Sequence, residues 1–296
     1  MTGMLPFYRR LASPLHAARA GVGAGWALAL TVATIVLYDP LVLLALLLGV
    51  IGAAIGCGVG RLIGRALRVA LIVALPIVVV NVLVSRQGLT VFARLGDLGP
   101  FGQGNLTIEA LVYGGVIALK VALLVLITTL ASLAIDPDEL LGLWRRLSFR
   151  SALTASLATR MVPVLAADAQ RLSEAQRTRP HGAPSGSRAR VALLGAVIGG
   201  SLDRAMDVAA TLEVRGFATA RRAPRVPRAL SRHDIAFAAS AICILGLAAI
   251  GRLGGAATFE AYPQITMRTG AETLALCAAL LCAVVLPVGD RRGIEP

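Results

Sequence analysis

Two arginines stand where helices are expected to stop. In "AATLEVRGFATARRAPRVPR", residues 209–228, a helical run carrying Glu213, Val214 and Arg215 halts at Gly216-Phe217, and a strongly basic stretch follows. Earlier in the chain, "LSEAQRTRPHG" repeats the arrangement: Glu174, Gln176 and Thr178 lead to Arg179, and Pro180 stops the run. An arginine at a helix C-terminus complements the negative end of the helix dipole and carries its guanidinium past the last turn. That planar fork holds a carboxylate through two parallel hydrogen bonds, and it keeps its charge even when partly buried. The chemistry on offer is recognition of acidic groups on a partner, twice over. Helix-end capping and a general basic excess are the plainer alternative.

Other chemistry is poorly represented. His16, His181 and His233 fall in separate tail, turn and linker contexts, so no metal site is expected. Cys57, Cys243, Cys277 and Cys282 all lie in apolar segments without metal-type spacing or a disulfide framework, and read as small core residues. No serine or aspartate spacing suggests a nucleophile with its base. A glycine-rich phosphate loop of the G-x-x-x-x-G-K-[ST] type is absent from the sequence, so the chain itself is expected to hold no cofactor. Lys120 lies inside an apolar run, where an ionisable group is a functional candidate by default unless it snorkels or pairs internally.

The elements that position these groups are those of a membrane protein. Of the 296 residues 57% are hydrophobic and 15% charged, with a mean hydropathy of +0.78, whereas soluble domains carry roughly 25% charged residues. Apolar windows of the ~20 residues needed to cross a bilayer predict six spans, near 21–38, 40–60, 67–84, 106–135, 235–250 and 271–288. Arg9, Arg10 and Arg19 precede the first, but no convincing cleavage site follows, so an uncleaved first helix is expected. With the N-terminus inside, the inner segments 1–20, 61–68, 136–234 and 289–296 hold 24 of the 29 basic residues. That asymmetry predicts both termini on the inner side. It also accounts for most of the net charge of +13 as the topology bias of a chain whose expected surroundings are the lipid bilayer, without nucleic acid.

The division expected is residues 1–135 with about four spans, 136–217 as an inner helical segment, and 218–296 as a basic linker with two more spans. The inner segment opens on "DPDELLGLWRRLS", a short amphipathic helix with Asp136 before Pro137. Two long helices follow, joined by the turn "PHGAPSGSR" into a hairpin, with a kink expected at Pro163. Arg160 and Arg204 could pair with Asp168, Asp203 or Asp207 inside that hairpin.

Three stretches carry a family likeness: "TRMVP" (159–163), "AQRTRP" (175–180) and "SLDRAMDVAATLEVRGF" (201–217). They resemble the R-F-x-P, A-Q-x-x-R-G and S-L-x-R-A-x-x-x-A-x-A-M-E-A-R-G-F segments of the transmembrane T component of energy-coupling factor (ECF) transporters, the family that includes the cobalt-transport permease. "GNLTIEALVYG" is similar to that family's T-x-E-G entry into a span, and "SPLHAARAG" more loosely to its N-terminal H-P-L region. The two Ala-Arg-Gly motifs of the family become Thr178-Arg179-Pro180 and Val214-Arg215-Gly216 here. Both arginines remain, while Ala is replaced twice and Gly once. Pro180 can end a helix but cannot take the left-handed conformation that a glycine supplies. The resemblance implies an all-α integral membrane protein of about six transmembrane helices with a long cytoplasmic coupling-helix hairpin, in a bacterial or archaeal cytoplasmic membrane. It further implies a non-enzymatic subunit between two ABC-type ATPases, which would hold ATP and Mg, and a small S-type membrane subunit that binds a vitamin or metal ion. A self-contained secondary transporter, or an integral-membrane enzyme, is the alternative.

Overall fold

The computed structural model describes residues 12–84, 88, 90–97, 103–137, 139–140, 149–178, 186–216, 229–267 and 269–290. The chain divides into two compact units, Met1–Leu140 with Leu230–Pro296, and Leu141–Ala229. The first contains α1 (Pro14–Ala17), α2 (Ala20–Val36), α3 (Pro40–Gly56), α4 (Gly60–Val84) and α5 (Ile108–Ala134), then α8 (Arg232–Leu253) and α9 (Ala271–Gly289). The second contains α6 (Phe149–Arg177) and α7 (Ser187–Val214). Two antiparallel hairpins complete the first unit: β1 (Val91–Asp97) with β2 (Gln103–Thr107), and β3 (Phe259–Glu260) with β4 (Thr266–Met267).

The helices begin where side chains can satisfy the orphan N–H groups of a first turn. Asp39 caps α3 by accepting from Leu41 N at 2.9 Å, and Pro40 occupies the first helical position. Thr107 caps α5 through Ala110 N, and the buried Glu109 carboxylate accepts from Thr90 N at 3.0 Å, which ties the strand region to the helix start. Ser231 and Asp234 form a reciprocal capping box at α8.

In the first unit α5 packs on α2, α3 and α4, while α8 and α9 lie against each other and against α2 and α3 respectively. The core is built from Leu30, Leu43, Leu46, Leu123, Leu126, Ile244 and Leu280, all essentially inaccessible. Trp26 meets Phe237 edge-on, with centroids 5.4 Å apart. Its indole N–H donates to Ser240 Oγ at 3.0 Å, and that hydroxyl donates to Ala283 O at 2.6 Å. One line of hydrogen bonds thus joins α2, α8 and α9. Close approach of α3 to α9 depends on small residues: a Cβ at Gly56 would stand 2.5 Å from Val288 Cγ1.

This is an all-α membrane protein, with two small hairpins in stretches expected to be loop. Four helices, α4, α5, α8 and α9, are long and apolar enough to cross a membrane, while α2 and α3 are apolar but have 17 residues each. One boundary differs from expectation. Residues 61–68, anticipated as an inner loop before a span at 67, are the first turns of α4. Arg61, Arg65 and Arg68 recur at helical spacing on an exposed face, while Ile63, Ala66 and Ala70 turn inward. The periodicity is that of one amphipathic helix end.

Candidate functional site

The second unit carries the arginine-bearing helix ends. Helix α6 is rich in Ala and Leu and runs unbroken through Pro163, which is exposed. Its final turn closes with Thr178 N donating to Glu174 O at 3.2 Å and the Thr178 hydroxyl donating to Ala175 O at 3.0 Å. Glu174 and Thr178 are exposed and Gln176 is half-buried. Arg179 and Pro180 lie outside the described residues, as does the amphipathic segment beyond Leu140.

The end of α7 is described in full. Arg215 is the C-cap, with its N–H donating to Thr211 O at 3.2 Å. Gly216 follows at φ +67°, in the left-handed region, and its N–H donates to Glu213 O at 2.9 Å. Such a residue lets the chain turn sharply away while the orphan carbonyls of the last turn are still satisfied. The turn leaves Glu213, Val214 and Arg215 exposed, Val214 to 89%. An exposed arginine thus ends the helix, two residues after Glu213, with a left-handed glycine behind it.

An ion pair ties the two helices together. Arg204 Nη1 on α7 lies 2.9 Å from Asp168 Oδ2 on α6, and Arg171 approaches the same carboxylate at 3.8 Å. Of the acidic residues open to Arg204, Asp168 is therefore the one taken. Asp203 and Asp207 are exposed, as is Arg160.

Alongside this polar framework α7 presents an apolar stripe to the outside. Val191, Leu194, Ile198, Leu202 and Met206 are each between 59% and 67% exposed and recur at three- and four-residue spacing. Val162 and Val164 on α6 are also exposed. Gly195 and Gly199, four apart on the same helix, have nothing within 4 Å of an added Cβ. Among the described residues no neighbour requires glycine at either place. A contiguous apolar surface of this kind marks an interaction site with lipid or protein.

Lys120, the other sequence candidate, has an internal address. Its ammonium donates to Ile35 O at 2.9 Å and sits 3.2 Å from the centroid of the Tyr38 ring. Ile35 is in the last turn of α2, whose carbonyls lack intrahelical partners and carry the negative end of the dipole. Lys120 is therefore a cap supplied by α5 to the end of α2. A second such cap escaped sequence reading: His16 Nε2 donates to Leu133 O, in the last turn of α5, at 3.2 Å. The neighbouring Arg19 reaches Asp234. Among the described residues no group of three His, Cys, Asp or Glu is placed to hold a metal ion.

A polytopic helical membrane protein with a helix pair, one end of which is described and carries an exposed arginine, is the class these features define. The family model for cobalt transport proteins (CbiQ) matches residues 12–226, and the chain belongs to that family. It is thus a membrane component of a transport system, from a family whose members work within transporter complexes. No curated protein matches the chain.

Proposed function

We propose that this chain is the coupling subunit of an ECF-type importer, converting closure of two cytoplasmic ATPases into movement of a separate substrate-binding membrane subunit. The observation that carries the reading is the end of α7: an exposed Arg215 at the C-cap, released by a left-handed Gly216. A rigid helix tip bearing a bidentate cation suits an acidic groove on a moving partner. Arg179, at the corresponding end of α6, would serve the second ATPase, with Glu174, Gln176, Thr178 and Pro180 shaping that tip as Glu213, Val214 and Gly216 shape the other. Arg160, Pro163, Asp203 and Arg204 belong to the framework that keeps the hairpin stiff. ATP and Mg would be held by the ATPases and the substrate, a metal ion or vitamin, by the S-type subunit. That subunit would lie along the apolar stripe of α7. The membrane is then the cytoplasmic one, with both termini and the arginine tips on the side of ATP.

The self-contained transporter draws no support from Lys120, whose ammonium is engaged by a helix end. Co-purification separates the two readings. Tagged chain expressed with its candidate ATPases is expected to retain an ATPase pair, and the double substitution Arg179→Ala/Arg215→Ala to lose it while the chain still inserts. Arg215→Lys should restore little, because a point charge replaces a planar fork. Undiminished ATPase retention by the double variant would sink the assignment.

A further inference from the structure

The polypeptide leaves the first unit after Leu140 and re-enters it at Leu230. The second unit is therefore attached through two roots, the end of α5 and the start of α8. Both are gripped by one short piece of chain, residues 13–19. On one side His16 Nε2 donates to Leu133 O at 3.2 Å. A carbonyl can only accept, so in the neutral ring Nδ1 is the acceptor for the Ser13 hydroxyl, 2.6 Å away. Ile135, the C-cap of α5, and Leu15 of this segment close on one point of α2: Ile135 Cγ1 is 3.5 Å and Leu15 Cδ1 3.7 Å from where a Cβ on Gly23 would be.

On the other side the grip is ionic, with a buried carboxylate and a half-buried arginine. Arg19 N donates to Asp234 Oδ1 at 2.7 Å, and Arg19 Nε lies 3.3 Å from Oδ2. Asp234 is 2% exposed, and its Oδ2 also accepts from Ser231 N at 2.9 Å, the bond that closes the α8 capping box. One carboxylate therefore joins the first residue before α2 to the first turn of α8. Below it, the Trp26–Ser240–Ala283 line extends the tie to α9. The partners lie 117 and 215 positions apart in the sequence, so these contacts do not follow from chain proximity.

We propose that residues 13–19 form a clamp that fixes the spacing of the two roots, with His16 and Arg19 as positioning residues, so that the second unit is driven as one piece and its two attachments cannot part. In functional terms this rests on the coupling reading given above. A subunit that transmits force through a hairpin loses stroke if the hairpin's roots spread under load, and an ion pair on a buried carboxylate with a helix-end cap resists that spreading.

The test uses the full chain in lipid nanodiscs with Cys57, Cys243, Cys277 and Cys282 replaced by alanine. Spin labels are placed at Glu139→Cys and Leu230→Cys, two exposed positions at the roots. The parent is expected to give one narrow distance distribution. His16→Ala/Arg19→Ala should broaden it and move it outward, while His16→Gln, which keeps a donor at the Nε position, and Arg19→Lys should largely preserve it. Should the double variant fold poorly, Arg19→Ala alone retains the main-chain bond to Asp234 and should broaden the distribution less. Distributions that superimpose in parent and folded variants overturn the clamp. In the reconstituted complex, the same variants should lower cobalt(II) uptake per ATP hydrolysed, with hydrolysis itself retained. A broadened distance with unchanged uptake per ATP would support the clamp and count against the coupling reading instead.

Discussion

Lys120 is the residue whose role the sequence left most open, and its contacts decide it. The run around it is apolar, so the ammonium was visible as an anomaly. Its partner, Ile35 O, is a backbone atom 85 positions away, and no side-chain pattern could have announced it. Removing the ammonium strands a buried carbonyl, which costs about 1–3 kcal/mol. Lys120→Met is therefore expected to lower thermal stability in detergent by that order, and Tyr38→Leu by less, since the cation–π contact is the weaker half of the pair. Unfolding midpoints measured by scanning fluorimetry check the ranking. An unchanged midpoint for Lys120→Met, with loss of transport, would return Lys120 to a transport role. Arg215 is the opposite case. Its helix-ending glycine, its acidic neighbour and its exposure are all local, so residue types alone located that tip.

At the scale of elements, the apolar runs marked out α2, α3, α4, α5, α8 and α9, four of them long enough to span, because a stretch hydrophobic on every side has few alternatives to a buried or membrane helix. The boundaries followed less well. Window averages stopped at Arg61, Arg65 and Arg68 and placed a loop there, although their spacing put all three on one face of α4. The start of α8 was likewise set three residues late, at 235, although Ser231 followed by Asp234 is a capping-box signature. The β hairpins were missed because β1 and β2 lack a clean apolar–polar alternation and β3 and β4 have two residues each. Helix α7 carries a prediction of its own. Gly195 and Gly199 sit in a helix where alanine is favoured by about 1 kcal/mol each, and neither has a neighbour that a methyl would strike. Gly195→Ala/Gly199→Ala should therefore raise the stability of the isolated chain. Gly195→Leu/Gly199→Leu should leave the chain folded but weaken retention of a small membrane partner, because close backbone approach is what such spacing permits. Full retention by the leucine variant would remove the stripe from the partner interface.

For the molecule as a whole, the turn held by Lys120 has a consequence for the bilayer. Helices α2 and α3 have 17 residues each, a rise of roughly 25 Å, against a hydrocarbon thickness of about 30 Å. Both still show apolar side chains outward, among them Leu28, Ile35, Leu48 and Ile55. The adjacent α4 and α5 have 25 and 27 residues. Apolar helices of two lengths thus stand side by side in the first unit, and where α2 and α3 meet lipid, acyl chains would have to shorten or tilt to match them, at fractions of a kcal/mol per Å. Reconstitution in a series of phosphatidylcholines of increasing chain length should give a stability maximum on the short side of the usual optimum. Lys120→Met should flatten that dependence, since the buried turn it secures would no longer be fixed in depth. With α2 and α3 across the bilayer, the membrane beside them would thin, and any second protein with a short hydrophobic girdle would be drawn toward that patch before a single specific contact is made.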